Sequence, residues 1–428
     1  MHNRLRTFKT TAALAAGVVL LAACGGGGST DEGSDTDSAD PGTGGEAGGD
    51  LLIWVGEGPG GDAMKDIAKA FGEENGVDVT VEALPGEEMQ GNFVTASQAN
   101  KAPDVVLGAH DWIGNLVQNG AIDPIQLPEA ARADLQPLAV EAVTFDEQVY
   151  GMPHTMNNIV LFRNTDLVPE APQTIEELIS VGEELKASGE VKEVLGYPVG
   201  STGNPYFINP LYTSGGGYMF GTDANGDFNP DDLGVAKPEA VAAYEKIAAL
   251  GEGGQGVLKR SISGDNALGL FTSKKTAFLV EGPWQLPNLT EVDFEYDVSP
   301  VPGFEGGEPA SPFITVDAAY VASKGENKTL GQEFVTNYWP RADVQQQYFE
   351  AAQGVPASQA VLSQIQADSP LIVKVAEAGA ANGQIMPSIP EMAAVWDPLG
   401  KAEAAVIAGE DPAATIRAAA TAIQRAIE

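Results

Sequence analysis

The spacing of apolar positions changes several times along the chain, and each change marks an element. Leu51–Val55 is a short apolar run that reads as a buried strand. In "GGDAMKDIAKAFGEENG", Met64, Ile67, Ala68 and Phe71 recur at helical spacing on one face, and Asn75-Gly76 supplies the stop. "VDVTVEAL" returns to a strand pattern, so the opening is a βαβ unit, which predicts a parallel sheet. "APDVVLGAHD" gives another buried strand and "WIGNLVQNGAI" a short helix behind it. The rhythm continues in "TIEELISVGEELKASG", "PEAVAAYEKIAALGEGG" and "LGLFTSKKTAFLVEGPW". Single cores stop growing near ~250–300 residues, so this alternation over 428 residues predicts two α/β domains.

What precedes the first strand belongs to neither domain. Arg4, Arg6 and Lys9 form a basic start, and "TTAALAAGVVLLAA" is an apolar stretch too short and wrongly flanked for a membrane span. "LAAC" follows, and Cys24 is the only cysteine of the chain. The pattern is similar to a bacterial lipobox: residues 1–23 read as a lipoprotein signal peptide, with Cys24 lipidated as the mature N-terminus. Lipid chains hold a protein to a membrane without spanning it, at ~0.8 kcal/mol per buried CH₂. A mature chain without further cysteine has no disulfide and no thiol nucleophile. Residues 24–50 are Gly, Ser, Thr and acids with almost nothing apolar, a flexible linker whose reach is about 25–30 Å. Loss of Arg4, Arg6 and Lys9 with the signal lowers the 23 basic side chains to 20 against 60 acidic ones, a formal charge of −40. Nucleic acid and anionic ligands are poor partners for such a chain.

Catalytic and metal-binding patterns are missing. His2 leaves with the signal, His110 and His154 have no metal-like spacing, and neither a GxSxG elbow nor a P-loop is present. Carboxylate pairs are too numerous among sixty acids to identify a glycosidase. "TDANGDFNPDD" imitates a calcium loop, but its Gly is one position early and no acid closes it, so Asn225-Gly226 reads as a type I′ hairpin turn. The sequons "NLT" and "NKT" are incidental. Binding is the class that remains. Its most pointed feature is "TAFLVEGPWQLPNL", where the strand Ala277–Val280 ends in Glu281-Gly282-Pro283 and Trp284 follows. A tryptophan there either closes the core or presents a flat face at a strand end, where α/β proteins build binding crevices.

Six segments in register add a resemblance: "LLIWVGEGPGGDAMKDIAKAFGEENGVDVTVE", "KAPDVVLGAHDWIGNLVQNGAIDPI", "GMPHTMNNIVLFRNTDLVP", "NPYFINPLYTSGGGYMF", "KKTAFLVEGPWQLPNL" and "GQIMPSIPEMAAVWDPL". Over residues 50–428 the chain resembles the extracellular solute-binding proteins of sugar ABC importers, particularly their maltose/maltodextrin-binding members. The resemblance implies an α/β, two-lobed periplasmic-binding-protein fold, with a hinge crossed three times and a ligand cleft between the lobes. It places the first lobe at residues 51–156 and 318–356 and the second at 157–317 and 357–428. It implies a monomeric receptor, not an enzyme, without metal or cofactor, that is held at the extracytoplasmic face of the cell membrane. There it would capture an oligosaccharide, with maltose or a maltodextrin foremost, and deliver it to permease subunits. Another α-glucoside or disaccharide such as trehalose, a non-sugar solute, or a surface carbohydrate-active enzyme are the alternatives.

The same resemblance makes Trp284, Tyr206, Phe207 and Trp396 sugar-stacking positions of the second lobe. A pyranose has an apolar C–H face and a fringe of hydroxyls, so an aromatic plane suits the first and polar groups the second. Asp111 matches a carboxylate that accepts sugar hydroxyls; as a helix N-cap ahead of Trp112 it has an equally good structural role. Glu88, with Glu87 beside it, aligns near a further acidic pair, and Met386 and Asp397 lie in the last segment. Several positions depart from the family pattern. Gly58-Pro59 replaces an Asp-Lys pair, leaving Glu57 as the nearest acid. Gly108 stands where a tryptophan is expected and Trp112 where an arginine is. Asn157 and Asn204 replace glutamates, and Asp397 replaces an aromatic. Stacking is kept while first-lobe charge is rearranged, so Trp112 is expected to stand in for the ring missing at Gly108, unless it packs inward against Ile113 and Leu116.

Overall fold

The computed structural model of the protein describes residues 50–428, except residue 225 and the side chain of residue 87. The signal peptide, Cys24, the linker up to residue 49 and the turn residue Asn225 therefore lie outside the described residues. Leu51–Gly56 forms the first strand, β1, with Leu51, Ile53 and Val55 on its buried face. The helix Pro59–Asn75 covers it with Met64, Ile67, Ala68 and Phe71, and ends at Gly76 in the left-handed conformation (φ 70°) that a Cβ disfavours. β2 (Val79–Leu84) and β3 (Val105–Ala109) both run parallel to β1. The βαβ opening is thus as the pattern predicts. Each large apolar side chain buried in this layer contributes about 1.5–3 kcal/mol.

The sheet as a whole is not parallel, which corrects the sequence reading. β4 (Gly151–Asn157) leads directly into β5 (Val160–Asn164), and the chain changes sheets across the residues between them. β5 is the centre of a three-stranded antiparallel sheet, between β6 (Phe278–Glu281) and β7 (Tyr296–Ser299). The long strand β8 (Phe313–Val321) then returns, antiparallel to β3 on one edge and to β4 on the other. β9 (Gln384–Ile385) adds to β8 in parallel, so the larger sheet has the order β9-β8-β3-β1-β2 with β4 on the free edge of β8. Local pattern foretells β1, β2, β3 and β6 but not the direction from which a distant strand such as β8 comes back.

Three cores follow from this arrangement. One joins β1, β3 and β8 to Phe71, Phe93, Phe334 and Trp339. The three-stranded sheet is covered on both faces. Leu161, Phe278 and Val280 pack towards the helices Pro205–Ser214, Pro238–Leu250, Trp396–Ala408 and Pro412–Ile427. Val160, Phe162 and Leu279, one residue out of step, pack towards Phe271, Ile372 and Val375. Burial on both faces explains the consecutive apolar residues Val160–Phe162 of β5 and Phe278–Val280 of β6. Among the described residues no helix is long and apolar enough to cross a membrane.

Candidate functional site

A cleft of about 360 Å³ opens where the ends of β1 and β3, the first turn of the helix Pro59–Asn75, β4 and β8 converge. Trp284, carried on the three-stranded sheet's side, closes part of it. Among the described residues lining it, Glu57 and Asp317 are acidic and none is Lys or Arg.

Two tryptophans form its apolar surface, and each lies over a glycine. The strand β3 ends at Ala109, a single 3-10 turn spans His110–Trp112, and the indole of Trp112 folds back over Gly108. A Cβ on Gly108 would stand 2.0 Å from Trp112 Cζ3, so this ring occupies the space of the side chain that Gly108 lacks. The expectation that Trp112 stands in for the ring missing at Gly108 has this geometry behind it; the ring is also partly buried against the first core. At the end of β6, Gly282 repeats the arrangement: its Cβ would stand 2.2 Å from Trp284 Cη2. The carboxylate of Glu281 accepts the Gly282 N–H at 3.1 Å, with the indole of Trp284 beside it. Burial pushes the Glu281 carboxyl up to about 7, against the opposing influence of the Gly282 N–H and the Trp284 indole.

The polar surface centres on β8. Thr315 and Asp317 fall on one face of the strand and remain partly exposed. Asp317 Oδ2 accepts from Thr155 Oγ1 at 2.8 Å and from Asn157 Nδ2 at 3.2 Å, while Asn157 Oδ1 accepts the Val355 N–H at 3.2 Å. Burial raises the Asp317 carboxyl and the two donors draw it back. Both donors use Oδ2, which leaves Oδ1 for an incoming hydroxyl. His154, also in the wall, is edge-on to Trp339 at 5.3 Å and to Tyr348 at 5.0 Å between ring centres. Burial lowers its pKa to about 3, so the ring is neutral at pH 7, and Nδ1 has no partner.

Behind Trp112, His110 fixes the turn. Nδ1 accepts the Val316 N–H at 3.0 Å, which leaves Nε2 to donate to the Met386 carbonyl at 2.9 Å. Burial holds this imidazole down at about 4. Asp111 makes no side-chain cap: neither the 3-10 turn nor the helix Ile113–Gln118 has one. Its Oδ1 is shielded from solvent without a partner, and burial, with a smaller contribution from the charge of Asp317, raises the carboxyl to about 7.

Of the residues singled out from sequence, Glu57, Trp112, Asn157 and Trp284 line the cleft together. Tyr206, Phe207 and Trp396 form a second aromatic group beside it. Tyr206 stacks on Phe313 (6.2 Å, 28°) and meets Phe207 edge-on (5.7 Å), and Trp396 meets Phe313 edge-on (6.3 Å). The Thr315 hydroxyl donates to the Tyr206 hydroxyl at 3.3 Å, joining this group to the polar face of β8. Phe207 itself is only 9% exposed. The others lie elsewhere. Asn204 caps the helix Pro205–Ser214, accepting the Phe207 N–H at 3.4 Å, and its own N–H donates to Glu403 at 2.7 Å. Met386 is buried in a core, Glu88 is exposed on the helix Gly86–Gln98, and exposed Asp397 pairs with Lys401 at 2.7 Å. Sequence reading missed Asp317, Thr155, His154 and Tyr348 as cleft residues. The signal for Asp317 was there in "FITVDAAYV", an acid inside an apolar strand run. Among the described residues no group of three or more His, Cys, Asp or Glu is placed to hold a metal ion.

Flat rings and hydrogen-bonding groups around an open cleft in a two-lobed α/β fold define a solute-binding protein. Residues 66–372 match the family described as bacterial extracellular solute-binding protein, and the chain belongs to that family. It is 27% identical over 377 residues to the galactooligosaccharide-binding protein of Bacillus subtilis (strain 168), covering 85% of this chain and 86% of that one. It is 25% identical, over 86% of each chain, to the maltooligosaccharide ABC transporter solute-binding lipoprotein of Streptococcus pneumoniae (strain ATCC BAA-255 / R6). Among solved structures, the Thermus thermophilus maltotriose-binding protein bound with maltotriose aligns with a TM-score of 0.80 and 26% identity, over 88% of this chain and all of that one.

Proposed function

We propose that the protein is a lipid-anchored, monomeric receptor that captures a neutral oligosaccharide outside the cell membrane and hands it to an ABC permease. The observation that carries this reading is the cleft in which Trp112 and Trp284 offer apolar faces beside a hydrogen-bonded Asp317. Stacking contacts of this kind are worth about 1 kcal/mol each beyond area burial, and a carboxylate accepting a hydroxyl about 1.5–3 kcal/mol. Tyr206 and Trp396 extend the aromatic surface for a longer chain, and Asp111 supplies a second acceptor. Relatives that bind galacto- and maltooligosaccharides support a sugar as the ligand, and maltose or a maltodextrin remains the first candidate. We assign residues 51–156 and 318–356 to one lobe and 157–317 and 357–428 to the other, a division supported by the separate sheets around β1 and β5, although the start of β8 and β9 join the larger sheet. A ligand that touches both lobes binds the closed arrangement better and shifts the population towards it. No bond of the sugar needs to break, and prolonged incubation should return it unchanged.

A thermal-shift screen with maltose, maltotriose, trehalose, sucrose, xylobiose and spermidine tests the reading. A ligand at 100 times its Kd adds about 2.7 kcal/mol to stability. Stabilisation by one or more sugars is expected, and stabilisation by spermidine alone would overturn it. The anchor is tested separately: Cys24→Ser should bind sugar as before but leave the membrane fraction, and firm retention after a high-salt wash would refute lipidation at Cys24.

A further inference from the structure

The second aromatic group is built from two helices, and a buried acid outside the cleft joins them. Tyr206 and Phe207 stand in the first turn of the helix Pro205–Ser214, while Trp396 opens the helix Trp396–Ala408; Tyr206 and Trp396 both rest on Phe313. Trp396, Gly400 and Glu403 follow one another at helical spacing along one face of the second helix. Gly400 lets the main chains touch: a Cβ there would stand 2.8 Å from the Thr202 carbonyl oxygen, and one on Gly203 would stand 2.0 Å from the Gly400 carbonyl oxygen. One turn on, the wholly buried Glu403 accepts the Asn204 N–H on Oε1 at 2.7 Å. That N–H belongs to the residue that caps the helix bearing Tyr206. We propose that Glu403 is a positioning residue: it locks the start of one helix to the flank of the other and so sets the spacing of Tyr206 and Trp396, and with it the affinity for the sugar unit that reaches them. This role rests on the receptor reading.

The N–H of a cap residue lies outside the ladder of its own helix and needs an acceptor from elsewhere. Glu403 supplies one from 199 residues further along the chain. Burial pushes its carboxyl up to about 8, so at pH 7 it is a neutral acid that accepts the bond without placing a charge in the core. The titratable groups beside it are the phenols of Tyr197 and Tyr244, which burial raises as well. Tyr197 adds a second tie to the same turn, donating to the Phe207 carbonyl at 2.7 Å. Glutamine reproduces the neutral acceptor at the same reach. Aspartate keeps the acid but withdraws it by one methylene, and leucine keeps the bulk but loses the acceptor. Comparing glutamine with aspartate therefore separates the place of the acceptor from its acidity.

Calorimetry on the full chain with maltotriose, or with whichever sugar of the screen binds in its place, tests this. Glu403→Leu should weaken binding at least about fivefold and Glu403→Asp by a smaller factor, whereas Glu403→Gln should stay within about twofold of the wild type. A double-mutant cycle separates positioning from a general loss of structure. In a Trp396→Ala background, where the ring to be placed is gone, Glu403→Leu should cost less than about twofold; in a Trp284→Ala background its full effect should remain. Melting curves establish that the variants are folded. If Glu403→Leu is not, Gly400→Ala takes its place, since its Cβ wedges the same contact and leaves the acid intact, and the same dependence on Trp396 is expected. Wild-type affinity in the folded variant, an equal loss with and without Trp396, or a loss in Glu403→Gln as large as in Glu403→Leu would overturn the positioning role and leave the receptor reading standing. A wild type that binds none of the screened sugars would bring down both.

Discussion

The two glycine–tryptophan pairs share a geometry and differ in what stands behind them. Trp284 leaves a strand buried at every position, and its indole lies beside Glu281, a buried carboxylate that accepts the Gly282 N–H. Trp112 leaves a single turn braced by His110, beside Asp111, whose Oδ1 is enclosed without a partner. One side is a platform whose neighbouring buried carboxylate is already hydrogen-bonded to the main chain. The other carries an enclosed acceptor, Asp111 Oδ1, that has no hydrogen-bond partner. The same kind of stacking surface can therefore be built beside a buried carboxyl that is hydrogen-bonded to the main chain or beside one that keeps an unpaired oxygen.

The difference is tested most severely by removing each ring. Trp284→Ala removes the stacking face and the favourable influence of the indole on the buried carboxyl of Glu281, so it should lower stability by about 1–3 kcal/mol as well as weaken sugar binding several-fold. Trp112→Ala should weaken binding by a similar factor with a clearly smaller loss of stability. Chemical denaturation beside calorimetry reads both quantities, and equal stability losses would remove the contrast between the platforms.

A smaller effect concerns Asp111. Its folded pKa of about 7 lies above the ordinary carboxylate value near 3.9. The folded state thus keeps a proton that the unfolded chain has lost between about pH 4 and 7, and stability falls as pH rises through that window. Asp111→Asn should flatten the fall, raising the unliganded Tm at pH 8 by about 2–4 °C, near 1 kcal/mol, and leaving it unchanged at pH 4. A Tm gain of equal size at both pH values would show that ionisation of Asp111 is not the cause. The smallest effect is expected from Tyr206→Phe, which deletes the 3.3 Å bond from Thr315 but keeps the stack on Phe313. A loss of about 0.5–1 kcal/mol in stability, with at most a few-fold change in affinity, is expected by denaturation and calorimetry. A loss as large as that of Trp284→Ala would place Tyr206 in the supporting core.

Much of this molecule is written locally. The helical face of Met64, Ile67 and Phe71, the runs that become β1, β5 and β6, and the tryptophan after Glu281-Gly282-Pro283 are all visible in the sequence, because side-chain burial imposes its period of 3.6 or 2 directly on neighbouring residues. Asn204 is the instructive exception: chosen by resemblance as a ligand contact, it carries the Asn-Pro signature of a helix start and makes that cap. What only the tertiary structure decided is which side of a strand meets the cleft and who partners whom there. Asp317 is held by Thr155, 162 residues earlier in the chain, and β8 returns antiparallel into a sheet that opens in parallel. Trp112 lies over Gly108 because the turn between them folds back, so an exchange of residue types four positions apart becomes one ring displaced in space. Such pairings leave no period in the sequence, since they depend on the path of distant segments and not on the burial of adjacent ones.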